Sequence, residues 1–185
     1  MDHNLSCAYK RVILKPLKFD DIEQVRILRN KPQIRKWFNY SDEISKESQF
    51  EWYKKYLSDP TDYMYTVFLR DNPEKLIGTY ASYDLDINQR IIEVGRLMVD
   101  SENVSERGLG YDIVGAAVQI IFENLPVDTI MGEVFAANER SIRCTMEGGG
   151  LEIVGTAMVD EQEIVYLSIT RQQYINRMGR KGKEG

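Results

Sequence analysis

Two glycines one residue apart, in Arg107-Gly108-Leu109-Gly110, separate a polar run from an apolar helical run that ends near Leu125. Glycine adopts backbone conformations that are closed to other residues, so this stretch can bend tightly and expose its amides. A helix that begins there points unpaired N–H groups and the positive end of its dipole into the bend, where phosphate groups bind. The spacing therefore predicts a phosphate-binding loop, with a tight strand-to-helix turn as the alternative.

Two common phosphate-binding motifs do not match this loop. A Walker loop needs Gly-Lys-Ser or Gly-Lys-Thr after its spacer, and the chain has no such run. A dinucleotide fingerprint needs a third glycine where Ile113 stands, and it follows the first strand of its domain rather than the fourth predicted strand. The ligand class must therefore be inferred from the elements that surround the loop.

Apolar periodicity predicts elements in the order β-α-α-β-β-β-α-β-α-β-β. The first strand covers residues 12–17, and helix N-caps are expected at the Asp20-Asp21 pair, Ser45 and Asn138. An antiparallel meander followed by β-α-β crossovers is typical of one α/β (α+β) domain, with a mixed, mostly antiparallel central sheet flanked by helices. We assign residues 1–10 to an N-terminal arm, 11–171 to this domain and 172–185 to a flexible tail.

Composition restricts the function classes. The net charge of −5 argues against nucleic-acid binding, and no apolar run is long enough to span a membrane. Cys7 and Cys144 are far apart and lack metal-ligand spacing, which indicates reduced thiols, a cytoplasmic protein and no metal site. The only histidine, His3, lies in the polar arm, so mechanisms that require a core histidine are excluded.

An apolar strand ending in "GRLMVD", the "RGLG" loop, a buried helix, a strand and a helix that opens with "NERS" resemble the GNAT family of acyl-CoA-dependent N-acetyltransferases. The resemblance runs from about Val12 to Thr170. Gly108 and Gly110 match the family's loop glycines, whereas Ser105 replaces its usual Gln or Arg. The resemblance implies acetyl-CoA as cosubstrate and transfer of its acetyl group to a primary amine by direct attack in a ternary complex.

The resemblance also implies which residues hold acetyl-CoA. The loop amides would bind the pyrophosphate with help from the Arg107 charge, the strand before the loop would pair with the pantetheine arm, and Asn138 would bond the pantetheine amides. Gly95 is expected to mark the bulge that splays this strand. The cofactor-binding residues implied are Leu97, Met98, Val99, Arg107, Gly108, Leu109, Gly110, Asn138 and Ser141.

The residues available for proton transfer match the family pattern only in part. Glu93 matches a carboxylate often found on this strand and would accept the amine proton; an outward-facing strand residue is the alternative. Many relatives place a tyrosine after the asparagine of the last motif, but this chain has Cys144-Thr145-Met146 there and an ending one residue longer. The general acid therefore stays open among Cys144, Thr145, a water molecule and none.

The class of acceptor substrate is inferred from residues in the N-terminal half of the chain. The pattern of bacterial nucleotide-sugar acetyltransferases resembles Arg29-Asn30, Trp37-Phe38, Ile44-Ser45 and Gln49-Trp52, and it grades into that of the ribosomal-protein N-terminal acetyltransferases. We expect an amino group on a nucleotide-linked sugar, with a protein N-terminus or a catalytically silent acyl-CoA-binding module as alternatives. Of Tyr80 and Tyr83, only one is expected to face the cleft, because they differ in parity along the strand. A homodimer is compatible with the sequence.

Overall fold

A computed structural model describes residues 3–181, and within this range eight strands form a single mixed sheet with six α-helices on its faces. The strands follow the spatial order β1-β2-β3-β4-β5-β6-β8-β7. They are β1 Cys7–Tyr9, β2 Val12–Pro16, β3 Tyr63–Leu69, β4 Leu76–Asp86, β5 Ile91–Val99, β6 Thr129–Phe135, β7 Glu152–Val159 and β8 Gln162–Thr170. The predicted mixed sheet is confirmed.

The helices begin close to the residues that the sequence marks. The Ser45 hydroxyl accepts a hydrogen bond from the Ser48 N–H at 3.1 Å and so caps the third helix. Gly108 precedes the fourth helix, which is the longest. The helices are α1 Ile22–Asn30, α2 Pro32–Arg35, α3 Lys46–Ser58, α4 Leu109–Asn124, α5 Glu139–Arg143 and α6 Arg171–Lys181.

Strand pairing changes character at β5. The sheet is antiparallel from β1 to β5, and β5 then pairs in parallel with β6. This parallel pairing joins Ile91–Val94 to Thr129–Gly132 and ends there within the described residues, although both strands continue. The two strands therefore diverge and leave a gap in the middle of the sheet.

Two apolar cores cover the two faces of the sheet. Alternation along β3 shows this directly, because Tyr63 and Tyr65 belong to the core beneath α4 and Met64 belongs to the core beneath α1 and α3. Helix α4 is buried over most of its surface, with Ile113 and Ile121 fully inaccessible to solvent. It forms the rigid support on which the glycine loop stands.

Both chain ends differ from the sequence expectation. The predicted N-terminal arm contains β1, and His3 is buried, with its ring 4.9 Å from that of Tyr65. The predicted flexible tail forms α6 up to Lys181, while residues 182–185 lie outside the described part of the chain. Arg171 anchors this helix, because its guanidinium donates to the carbonyls of Phe122, Leu125 and Val127 beyond and within the last turn of α4.

Candidate active site

The gap between β5 and β6 opens into a cleft of about 650 Å³. Its walls come from the diverging halves of the two strands, from α2 and the residues after it, and from α5 and the segment that follows. The cleft is lined by seven of the predicted site residues, Glu93, Leu97, Met98, Val99, Gly110, Asn138 and Ser141. Arg107, Gly108 and Leu109 lie outside its lining within the described residues.

The glycine loop has the geometry of a helix start. Gly108 is the N-cap of α4 with φ +77°, in the left-handed region that glycine adopts without steric cost. Arg107 is exposed, and its carbonyl accepts a hydrogen bond from Arg11 Nη1 at 2.9 Å. Arg11 also pairs with the buried Asp112 at 2.6 Å, which ties the loop to the beginning of β2. Leu109 points into the core and is buried.

Gly110 is constrained by a close approach rather than by its φ angle. A Cβ at this position would lie 2.7 Å from Cys144 Sγ, closer than real contacts allow. The first turn of α4 therefore packs directly against the segment after α5. Gly108 and Gly110 are required for two different physical reasons, although the sequence presents them as one motif.

A β-bulge sets the direction of β5. Thr79 pairs with Met98 and Ala81 pairs with Gly95, so β5 has one residue more than β4 between these pairs. The left-handed residue of the bulge is Arg96, with φ +52°, directly after the predicted Gly95. Beyond this bulge, Leu97, Met98 and Val99 border the cleft with no pairing to β6 among the described residues.

Glu93 lies in the cleft and accepts a hydrogen bond from the Tyr83 hydroxyl at 2.9 Å. Burial raises the pKa of the Glu93 carboxyl above its ordinary value, the hydrogen bond from Tyr83 opposes this rise, and the neighbouring charges of Glu133 and Asp84 add to it. Burial and the adjacent Glu93 also raise the pKa of Tyr83. The carboxyl is therefore less acidic than an exposed glutamate, as suits a group that must accept a proton near neutral pH.

Both Tyr80 and Tyr83 line the cleft, which corrects the expectation that only one of them would. Their side chains do project from opposite faces, since Tyr80 joins the core beneath α4 and Tyr83 packs against the core beneath α1 and α3. The cleft reaches both because the divergence of β5 and β6 opens the sheet from one face to the other.

Asn138 caps α5, and its side-chain oxygen accepts a hydrogen bond from the Ser141 N–H at 3.2 Å. After α5 the chain forms a π-helical segment, Cys144–Gly149. A π-helical turn accommodates an inserted residue, which accounts for the longer ending noted in the sequence. The segment places the buried side chains of Cys144 and Thr145 against the cleft, and burial raises the pKa of the Cys144 thiol.

The aromatic wall of the cleft is a loop, residues 36–45, that α1 holds in place. The Asn30 side chain accepts a hydrogen bond from the Ile44 N–H and donates one to the Ile44 carbonyl, both at 2.9 Å. Arg29 donates to the Tyr40 carbonyl at 2.5 Å, and its guanidinium lies 3.8 Å from the centroid of the Phe38 ring. Arg29 and Asn30 therefore shape this loop, and neither lines the cleft among the described residues.

Two other properties concern the molecule as a whole. Among residues 3–181, no helix is long and apolar enough to cross a membrane. The same residues contain no group of three or more histidine, cysteine, aspartate and glutamate side chains placed to hold a metal ion.

Solved structures share this architecture at low sequence identity. Spermidine N-acetyltransferase from Vibrio cholerae, in complex with CoA and spermine, is 19% identical with a TM-score of 0.79, over 89% of this chain and 98% of that one. Aminoglycoside acetyltransferase AAC(6')-Ib, in complex with coenzyme A and kanamycin, is 23% identical with a TM-score of 0.74, over 89% and 98% of the two chains. These likenesses show that the chain shares the fold of these two proteins.

The family follows from the sequence. The family model described as an acetyltransferase (GNAT) domain matches residues 11–150, and the chain belongs to the GNAT acetyltransferase family. No protein of curated function matches the chain. The protein is an acetyl-CoA-dependent N-acetyltransferase, as the sequence resemblance implied.

Proposed function

We propose that the protein acetylates a primary amine of a nucleotide-linked amino sugar by direct attack on acetyl-CoA, with Glu93 as the base. The observation that carries the chemical part is the placement of the Glu93–Tyr83 pair in the cleft where β5 leaves β6. The amine nitrogen bonds to the thioester carbon, its proton passes to Glu93 directly or through water, and the C–S bond breaks to release the CoA thiolate. General-base assistance of this kind contributes about 10²–10⁴-fold in rate.

The residues assigned to acetyl-CoA fit the shape of the site. The end of β5 borders the gap, and its backbone does not pair with β6 at Leu97, Met98 and Val99. This free edge suits backbone pairing with the pantetheine arm. One amide of this edge would polarise the thioester carbonyl, a contribution of about 2.7–4 kcal/mol for a well-aimed donor. The N–H groups at the beginning of α4 would bind the pyrophosphate together with Arg107, and Asn138 and Ser141 lie on the opposite wall.

Direct attack is favoured over an acetyl-cysteine intermediate. Cys144 is the only cysteine that lines the cleft among the described residues, and burial raises the pKa of its thiol, which keeps it in the weakly nucleophilic neutral form. Tyr80 lines the same cleft and is the candidate proton donor to the departing thiolate. Burial and the nearby Cys144 raise the pKa of Tyr80, so that its hydroxyl is protonated at neutral pH.

The nucleotide-sugar acceptor is supported by the 36–45 loop. Trp37 and Phe38 line the cleft and offer faces for a base or a sugar ring, and the Lys36 ammonium lies 4.7 Å from the centroid of the Trp37 ring, where it can meet a phosphate. A polycationic amine is the second candidate, because Glu133 and Asp160 add negative charge to the same cleft. The Vibrio cholerae enzyme bound to spermine and the aminoglycoside enzyme bound to kanamycin agree with this second candidate.

An acceptor panel separates these candidates. Purified protein with acetyl-CoA would be offered a nucleotide-linked 4-amino-dideoxy sugar, spermidine, kanamycin and a peptide with a free N-terminus, and CoA release would be followed. We expect kcat/KM to be highest for the nucleotide sugar, and Trp37→Ala to raise the KM for that acceptor alone. Tyr40→Ala is the matched control, since Tyr40 is 60% exposed on the same loop and does not line the cleft within the described residues.

Each other result would contradict the acceptor proposal in a defined way. Turnover confined to spermidine or kanamycin would assign the cleft to polycations. Turnover confined to the peptide would assign it to a protein N-terminus, as in the ribosomal-protein enzymes. Equal effects of the Trp37 and Tyr40 variants on KM would remove Trp37 from acceptor binding.

A further inference from the structure

Arg96 is the residue on which the bulge of β5 depends. Its φ of +52° is unfavourable for a residue with a Cβ, so the surrounding structure must hold it there. Three contacts do so. Arg96 Nη1 lies 2.7 Å from Asp62 Oδ2, the Thr79 hydroxyl donates to the Arg96 carbonyl at 3.0 Å, and the guanidinium lies 4.4 Å from the centroid of the Tyr83 ring.

These contacts join two parts of the proposed chemistry. Asp62 is buried directly before β3, and its partner Arg96 is mostly shielded, so the ion pair lies largely out of solvent. From Arg96 the backbone runs immediately into Leu97 and Met98, which border the cleft. Its side chain packs on Tyr83, whose hydroxyl bonds Glu93. A shift of Arg96 would therefore move both the strand edge and the pair at the base.

We propose that Asp62 and Arg96 are positioning residues, whose ion pair holds the bulge of β5 and the Tyr83 ring so that Glu93 and the Leu97–Val99 edge face the same point of the cleft. This inference rests on the proposed role of Glu93 and extends it to residues outside the family's motifs. Neither residue is required to touch a substrate, and both act through the backbone and through Tyr83.

The charge of Arg96 gives this inference a second readout. Glu93 is surrounded by Tyr83 and Asp84 of β4, by Glu133 of β6 and by Arg96 of its own strand, and among the charged side chains Arg96 alone lowers its pKa. Loss of the guanidinium therefore raises the pKa of Glu93 further. The acid limb of the pH–rate profile, below which Glu93 is protonated and inactive as a base, should move to higher pH.

The principal test replaces Arg96 by glycine. Glycine tolerates the left-handed conformation, so Arg96→Gly removes the ion pair and the stacking while it relieves backbone strain. Arg90→Gly is a closely matched control, because Arg90 also has a positive φ of +58° and also pairs with an aspartate, Asp128, at 2.5 Å, but it lies outside the cleft lining. Urea unfolding, kcat, KM and the Kd for CoA by calorimetry would be measured for both.

We expect Arg96→Gly to lower kcat by about 10–100-fold, the range associated with small misplacements of reacting groups, and to weaken CoA binding. Its acid limb should move to higher pH, whereas Arg90→Gly should retain wild-type kinetics. If Arg96→Gly does not fold, Asp62→Asn is the alternative variant, and it should also lower kcat. Arg96→Lys, which can keep the ion pair without the planar stacking, should recover part of kcat.

Wild-type kcat, acid limb and CoA affinity in a folded Arg96→Gly or Asp62→Asn variant would overturn the inference. An equal fall in kcat for Arg96→Gly and Arg90→Gly would overturn it too, because the effect would then not depend on the cleft. The base itself is tested separately by Glu93→Gln. If that variant keeps the acid limb, Glu93 is not the base, and the positioning role is then judged on kcat and CoA affinity alone.

Discussion

Gly110 provides the sharpest test of why this loop contains two glycines. A methyl group at residue 110 would lie 2.7 Å from Cys144 Sγ and 3.6 Å from Cys144 Cβ, so Gly110→Ala requires a buried side chain to move. Overpacking of this kind costs about 1–3 kcal/mol, and the gain in helix propensity returns about 0.5–1 kcal/mol. The free energy of unfolding should therefore fall by up to about 2.5 kcal/mol.

Removal of the sulfur should reverse the sign of this change. In a Cys144→Ala background, Gly110→Ala should stabilise the protein by about 0.5–1 kcal/mol, because only the propensity difference remains. Urea unfolding of the wild type, both single variants and the double variant gives the coupling energy. Additivity within about 0.5 kcal/mol would refute the reasoning, since residues in contact are expected to couple more strongly.

CoA affinity measured on the same four proteins separates packing from phosphate binding. Recovery of both stability and CoA binding in the double variant would show that Gly110 is needed to make room for Cys144. Recovery of stability without recovery of CoA binding would show that the phosphate itself requires a bare backbone at residue 110, as the sequence motif suggests.

Three further predictions concern the site. Glu93→Gln should abolish the acid limb of kcat/KM and lower the rate at neutral pH, with CoA affinity unchanged. Because burial raises the pKa of Glu93 in the folded state, the wild-type protein loses stability as pH rises through that pKa. The Glu93→Gln variant should therefore unfold at a higher urea concentration than wild type at pH 8 but not at pH 4. Tyr80→Phe should lower kcat about 10–100-fold, because the departing CoA thiolate would lose its proton donor. An unchanged kcat would exclude Tyr80 as that donor. Asn30→Ala should raise the acceptor KM and leave the Kd for CoA unchanged, since the side chain holds only the 36–45 loop through Ile44; parallel changes in both constants would show that this loop supports the CoA site as well.

Local patterns were sufficient for much of the fold. The alternating runs of β3, β4 and β5, the Ser45 cap and the glycine-led start of α4 follow from residues close together in sequence. The chain ends did not follow, because their contacts are distant. His3 packs on Tyr65, and Arg171 bonds carbonyls near residue 122, so neither segment carries its own structural signal.

The parts of the site that the local backbone determines could be predicted from the sequence. The parts that depend on a side chain distant in sequence could not. Gly95 correctly pointed to the bulge, but the strained residue is Arg96, and it is held by Asp62, which lies directly before β3. The Arg29-Asn30 pair suggested acceptor recognition, whereas these side chains fasten the 36–45 loop. A pattern shared with sugar-nucleotide enzymes can therefore reflect a shared loop conformation as much as a shared ligand.

Because the gap between β5 and β6 passes through the sheet, the two substrates need not use the same entrance. The α4 face presents Gly110 and Tyr80 to the cleft, and the other face presents Phe38 and Tyr83. Each substrate can then arrive at, and each product leave from, its own side. We therefore expect the two substrates to bind in either order, with CoA competing with acetyl-CoA and leaving the amine bound.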